Sequence, residues 1–314
     1  MVAKVWLASA ALVVTALVAA AALFWPAASG LTAPPLLPAS PGAGPGETPD
    51  AATTPSPWHP APVFDDTFLV AYYGTAGTDS LGVLGDGSIA EVTDRLRAAA
   101  APYAAASGKR VQIVYELIAT VADGTAGADG TYSHDIPRTA VEAYMAAARR
   151  NHALLVLDLQ PGRSDFLTVA KRYAWALKEP YVGLALDPEW RMGPGEVPAH
   201  VFGSVTAAEV NETAAFTAGI ARRNRLPQKL FVIHQFTPSM VRGLADIAPL
   251  KGLAIVQHVD GWGDRQNKLA TLHNVARPGR FVLGFKLFYR EDVDMFTPRS
   301  LLRAVPRVQF VSYQ

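Results

Sequence analysis

Val182-Gly183-Leu184-Ala185-Leu186-Asp187-Pro188-Glu189-Trp190 is a run of five apolar or small residues that ends abruptly in two carboxyl groups. So short a run, closed by a proline, predicts a strand buried on both faces, as in a parallel sheet. Seven other stretches share this form, at 68–74, 111–121, 154–160, 229–236, 254–260, 281–289 and 308–313, with the quoted run itself covering 182–189. Amphipathic segments with apolar residues at three-and-four spacing lie between them, among them 90–106, 138–151, 166–177 and 207–223.

Strand and helix therefore alternate, with a helix expected after each of the first seven strands. Eight parallel strands in about 250 residues match a closed (β/α)8, or TIM, barrel, with an open doubly wound sheet as the other arrangement. Gln314 follows the eighth run directly and leaves no room for a last helix. The segment 58–64, rich in aromatic residues and proline, is expected to cover that strand instead.

Before this body come two segments of different composition. Residues 5–25 form an apolar run of 21 without a charge, preceded by Lys4, long enough to cross a bilayer core of about 30 Å as a helix. Segment 1–30 is thus expected to be a signal peptide or a retained membrane anchor, its N-terminus cytoplasmic by the positive-inside preference. Pro26-Ala27-Ala28-Ser29-Gly30 offers small residues for cleavage, and the mass of the mature protein distinguishes the two. Segment 31–63 reads as a linker, with ten prolines between residues 32 and 62. At that density it extends as polyproline II, reaching about 90 Å if fully stretched. The domain at 64–314 is expected outside the cytoplasm, secreted or held at the membrane by the first segment.

Charge and composition exclude several classes. Net charge is +1 and only 18% of residues are charged, so no field gathers nucleic acid, and membrane contact is expected only through the N-terminal segment. The absence of cysteine removes disulfides, thiol nucleophiles and thiolate metal sites. A monomer is expected.

The chemistry lies where the apolar strands end. Glu116, Asp158 with Gln160, Asp187 with Glu189, His234 with Gln235, His258 with Asp260, Lys286 with Tyr289, and Tyr313 all stand at the ends of strands. Such groups are costly to bury unpaired. In a barrel these ends converge on one mouth, where active sites of the fold sit. Asp187 and Glu189, two apart, would face the same way on a strand. Crowded carboxyls drive their proton affinities apart, so that one serves as acid while the other stays anionic, as glycosidic cleavage requires. Aromatic residues flank them (Tyr72, Tyr73, Trp190, Trp262 and Tyr289), with faces suited to sugar rings. Asp260-Gly261-Trp262-Gly263-Asp264 reads as a mobile glycine loop at the mouth.

The stretch from Val182 to Glu189 resembles the fourth-strand motif D-G-x-D-x-D-x-E of chitinase-type glycoside hydrolases, with Gly183, Asp187 and Glu189 in register. Val182 and Ala185 replace its first two aspartates. The resemblance to TIM-barrel glycoside hydrolases implies an acid at Glu189 modulated by Asp187, with Glu116, Asp158 and Asp260 as candidates for base or nucleophile. Tyr73, Gln160, Trp190, His234, Gln235, Trp262 and Lys286 are then candidates for substrate binding. The nucleophile that retaining barrel glycosidases carry after strand seven is replaced by Lys286. The expected function is an exported glycoside hydrolase-like protein acting on a cell-envelope or environmental polysaccharide. The alternatives are a non-catalytic carbohydrate-binding barrel and a metal-dependent hydrolase using His234 and His258 with Asp158, Asp187 and Asp260. No His-x-His on the first strand and no His-Glu-x-x-His occurs, so neither metal nor other cofactor is expected.

Overall fold

The structure, a computed structural model, describes residues 62–314; segment 1–30 and nearly all of the linker lie outside the described residues. Eight parallel strands follow in order: β1 (Thr67–Gly74), β2 (Arg110–Ala122), β3 (Leu154–Leu159), β4 (Val182–Leu186), β5 (Lys229–Gln235), β6 (Leu253–Val259), β7 (Val282–Leu287) and β8 (Val308–Tyr313). β1 pairs with β2 on one side and β8 on the other. The sheet therefore closes on itself as a (β/α)8 barrel with no free edge. A short strand, Ser133–Asp135, extends β2 in the antiparallel sense.

Among the described residues six α-helices surround the barrel: α1 (Ile89–Ser107), α2 (Arg138–Asn151), α3 (Phe166–Arg172), α4 (Ala207–Arg223), α5 (Arg265–Val275) and α6 (Pro298–Ala304). All but α2 start on a side-chain cap: Ser88, Asp165, Thr206, Asp264 and Thr297 each accept a hydrogen bond from a first-turn backbone N–H. Helices begin at the mouth of such a barrel, so these caps fix the loops that frame the opening.

One expectation is corrected here. The β5–β6 connection holds no α-helix, only the 3-10 turns Pro238–Met240 and Leu244–Asp246 and the two-residue strand Val241–Arg242. Pro238, together with the left-handed backbone of Gly243 (φ 72°), leaves no uninterrupted stretch for helix. Of the segment 58–64 expected to cover β8, only residues 62–64 are described, and 58–61 lie outside the described residues. Its described part lies at the base of the barrel, where the Val63 N–H donates to Gln228 Oε1 at 2.9 Å. α1 and α6 pack against each other, and Tyr103 of α1 shares a hydrogen bond of 2.8 Å with Tyr313 of β8.

Side-chain alternation along each strand sends one set of residues into the barrel. Small residues face inward beside large polar ones, and Gly284 shows why: a Cβ there would run into the His258 ring. We expect Gly284→Ala to destabilise the fold by about 1–3 kcal/mol, as overpacked cores do. Circular dichroism melts would show this as a lowered Tm, and an unchanged Tm would mean the ring moves aside freely.

Candidate active site

The upper half of the barrel interior is polar, and Asp260 is its hub. One oxygen lies 2.7 Å from His258 Nδ1, the other 2.7 Å from His234 Nδ1 and 2.9 Å from Lys286 Nζ. On its far side His258 Nε2 meets Ser312 Oγ at 3.2 Å. The far nitrogen of His234, Nε2, lies 3.3 Å from Glu116 Oε1 and 3.8 Å from Asp158 Oδ1. The first approach is an ion pair too poorly aligned to count as a hydrogen bond. Tyr73 closes the circuit, donating to Asp158 Oδ2 at 2.8 Å and lying 3.4 Å from Asp187 Oδ2. The Lys286 ammonium sits 3.7 Å from the centre of the Tyr73 ring, a cation–π contact. Strands β1 to β8 each contribute a side chain or, for β4, the residues just beyond its end.

Burial raises the proton affinity of every carboxyl here, and the neighbours decide which ones overcome it. At Asp260 burial is outweighed by His234, Lys286 and His258, which hold its carboxyl well below the usual range. Glu116 is likewise held low against burial, by His234 first and then by His258 and Lys286. Burial with the charge of Asp187 pushes Glu189 well above the ordinary range. Asp158 is pushed up to about 7, by burial and then Asp187, and Asp187 is raised chiefly by burial. For His234 burial opposes the charge, yet Asp260 and Glu116 keep it protonated well above its ordinary range. Asp260 and Glu116 are thus biased toward the anion, and Glu189, Asp158 and Asp187 toward the protonated form.

Above this layer opens a cavity of about 450 Å³ lined by Tyr73, Gln160, Glu189, Asp260 and Lys286, with Trp190, Phe202, Phe236, Trp262 and Phe288 as apolar walls. Its size falls in the range of small-ligand sites, about 300–1,000 Å³. Glu189 and Asp260 therefore face one space. β4 stops at Leu186, and Pro188–Trp190 forms a single 3-10 turn. The two carboxyls consequently enter from a turn, not from one face of a strand. Asp187 makes no capping hydrogen bond; its side chain belongs to the interior.

Gln235 is not brought into the site. Next to inward-facing His234, it points outward, donating to the Thr237 carbonyl at 3.0 Å and accepting from Gln257 at 2.7 Å. Tyr72, Tyr289 and Tyr313 form a separate cluster on the outside, with Tyr289 stacked on Tyr313 at 5.2 Å. The glycine loop is tied at two points: Lys268, buried, donates to the Gly261 and Lys286 carbonyls and pairs with Asp292 at 2.9 Å, and the Gly263 carbonyl accepts from Val293.

Sequence reasoning missed Phe236 and Phe288, although each stands two residues beyond an inward-facing group, His234 or Lys286. That alternation was the signal available. Phe202 and His200 line the cavity from the long segment after β4, where no periodicity marks them. None of the protein families, curated proteins or solved structures compared with the chain matches it, so its own geometry carries the functional reading.

Removing one partner of a buried ion pair leaves the other charge uncompensated. Lys286→Met is expected to lower unfolding free energy by about 3–5 kcal/mol, measured by urea denaturation at pH 7. A loss under about 1 kcal/mol would show that Asp260 is balanced by the histidines alone.

Proposed function

We propose that the chain is a glycoside hydrolase working outside the cytoplasm on a cell-envelope or environmental polysaccharide, with Glu189 as the acid and Asp260 as its anionic counterpart. The observation that carries this reading is that these two carboxyls line the same aromatic-walled cavity while their surroundings drive their proton affinities in opposite directions. Opposed carboxyls around one bond are what glycosidic cleavage needs. Trp190 and Trp262 supply flat faces for sugar rings, and the buried Trp190 Nε1–H has no acceptor among the described residues, leaving it for a substrate hydroxyl.

In the reaction, the proton of Glu189 passes to the glycosidic oxygen as its bond to the anomeric carbon breaks. Asp260 provides fixed negative charge for the oxocarbenium-like sugar, at no cost of reorganisation because three basic groups already hold it in place. Water then gives its hydroxyl to the anomeric carbon, and its remaining proton returns to a site carboxyl. The charges of Asp187 and Asp260 help Glu189 keep its proton. Export is supported by the apolar run at 5–25 and the proline-rich stretch that follows it.

A second reading is favoured by one feature: the end of β7 presents Lys286, where barrel glycosidases of the retaining type carry a carboxylate. On that reading the barrel binds carbohydrate without cleaving it.

Release of reducing ends from polysaccharide by the wild type, cut by at least about 100-fold in Glu189→Gln, is the expected result. Cleavage undiminished in that variant would remove Glu189 from the acid role, and binding with no turnover in the wild type would establish the second reading. The pH profile follows from the directions of the two shifts. Glu189 must hold its proton and Asp260 must lack one. Activity should therefore persist below the ordinary carboxylate range, until Asp260 is protonated, and fall on the alkaline side as Glu189 ionises. A profile that collapses near pH 4 would contradict the assignment of Asp260.

A further inference from the structure

The net charge of +1 conceals an uneven distribution. In a barrel of parallel strands, every turn that leads into a strand lies at one end, opposite the mouth. Seven such stretches, at 107–110, 149–153, 176–181, 222–228, 249–252, 276–281 and 303–307, lead into β2 to β8. Together they hold thirteen Lys or Arg against one acid, Glu179, and Asp65 and Asp66 before β1 add two more acids. The base of the barrel thus carries an excess of ten positive charges, and the rest of the chain an excess of nine negative ones.

All thirteen cations but the half-buried Lys109 are exposed. Among the described residues only two of them pair with a carboxylate, Arg110 with Asp66 at 3.6 Å and Arg149 with Glu179 at 3.2 Å. Five stand in the last turn of α2, α4 or α6, where a cation complements the helix macrodipole. The other eight lie outside the last turn of any α-helix, so helix stabilisation does not account for the face. One depression in it, of about 660 Å³, is lined by Lys109, Arg280 and Arg307 and by no carboxylate. Lys109 Nζ is steadied there by Gln309 Oε1 at 2.7 Å. Three cations around one hollow without a counter-charge suit a phosphate-bearing group.

The N-terminal segment joins the domain at the same end. The Val63 N–H donates to Gln228 Oε1 at 2.9 Å, and Pro62 and Phe64 line a groove together with Lys251 and Arg280. The chain that leads back to the apolar run at 5–25 therefore leaves from the basic face. A bilayer holding that run is the anionic surface that the linker keeps at high effective concentration beside this face.

We propose that the base of the barrel docks on the anionic phospholipid headgroups of a membrane. Docked in this way, the domain turns its mouth away from the bilayer. The inference is independent of the reaction carried out at the mouth.

The full chain is mixed with vesicles of phosphatidylcholine alone, or of equal parts phosphatidylcholine and phosphatidylglycerol, and amide hydrogen exchange is followed by mass spectrometry. Phosphatidylglycerol is expected to slow exchange in the turns at 276–281 and 303–307, while the loops at the mouth exchange as before. This added protection scales with the ratio of docked to undocked domain, in which one cation near an anionic surface is worth about fivefold. It should therefore fall at least about fivefold in Arg280→Gln and by as much in Arg307→Gln, with circular dichroism melts confirming that both variants fold. Arg290→Gln, at the mouth, should leave it unchanged. Salt at about 1 M, where the screening length is about 3 Å, should remove it. Equal exchange with the two kinds of vesicle would overturn the proposal, as would an equal loss of protection in Arg290→Gln. So would protection of these turns by soluble polyphosphate but not by phosphatidylglycerol, since the face would then serve a dissolved polyanion.

Discussion

A carboxylate buried among three basic groups organises this protein. Asp260 could not stay ionised inside a barrel on its own, because the desolvation cost would be relieved by taking up a proton. His234, His258 and Lys286 reverse that balance. In doing so they become fixed themselves: each imidazole has one nitrogen committed to Asp260, and the ammonium is held over the Tyr73 ring. The orientation of His234 then determines what Glu116 and Asp158 meet. Much of the interior geometry follows from this one charge and its partners.

The barrel makes room for such a layer by placing small residues next to large polar ones. Ala185 stands two residues before Asp187, and Gly284 two before Lys286, each on the inward side of its strand. Closure also matters, since it gives every strand two neighbours and allows eight chain segments to deliver side chains to one volume without exposing an edge. The loops above are held by caps, by Lys268 and by backbone bonds such as Gly203 N–H to the Glu189 carbonyl, so Glu189 stands on a braced turn.

Carboxyls that would repel one another as neighbours in water take different protonation states here. Those nearest the bases are held toward the anion, and those nearest other acids toward the protonated form.

The sequence by itself determined the eight strands and their parallel alternation with helices, because a buried parallel strand must be a short apolar run and its inward alternation is local, while the closing of the sheet rests on the pairing of β1 with β8. It also marked Glu116, Asp158, Asp187, Glu189, His234, Asp260 and Lys286, since a polar group ending such a run has few places to go but the mouth. Only the tertiary structure decided the rest. The β5–β6 connection took 3-10 turns in place of a helix, and α1 met β8 through the Tyr103–Tyr313 hydrogen bond. Gln235 turned outward by strand parity while Phe202 arrived from a loop without a pattern. The choice of which carboxyl is anionic belongs to distances across the barrel, between residues as far apart in sequence as Tyr73 and Lys286, and no local spacing encodes a Coulomb interaction between segments that meet only on folding.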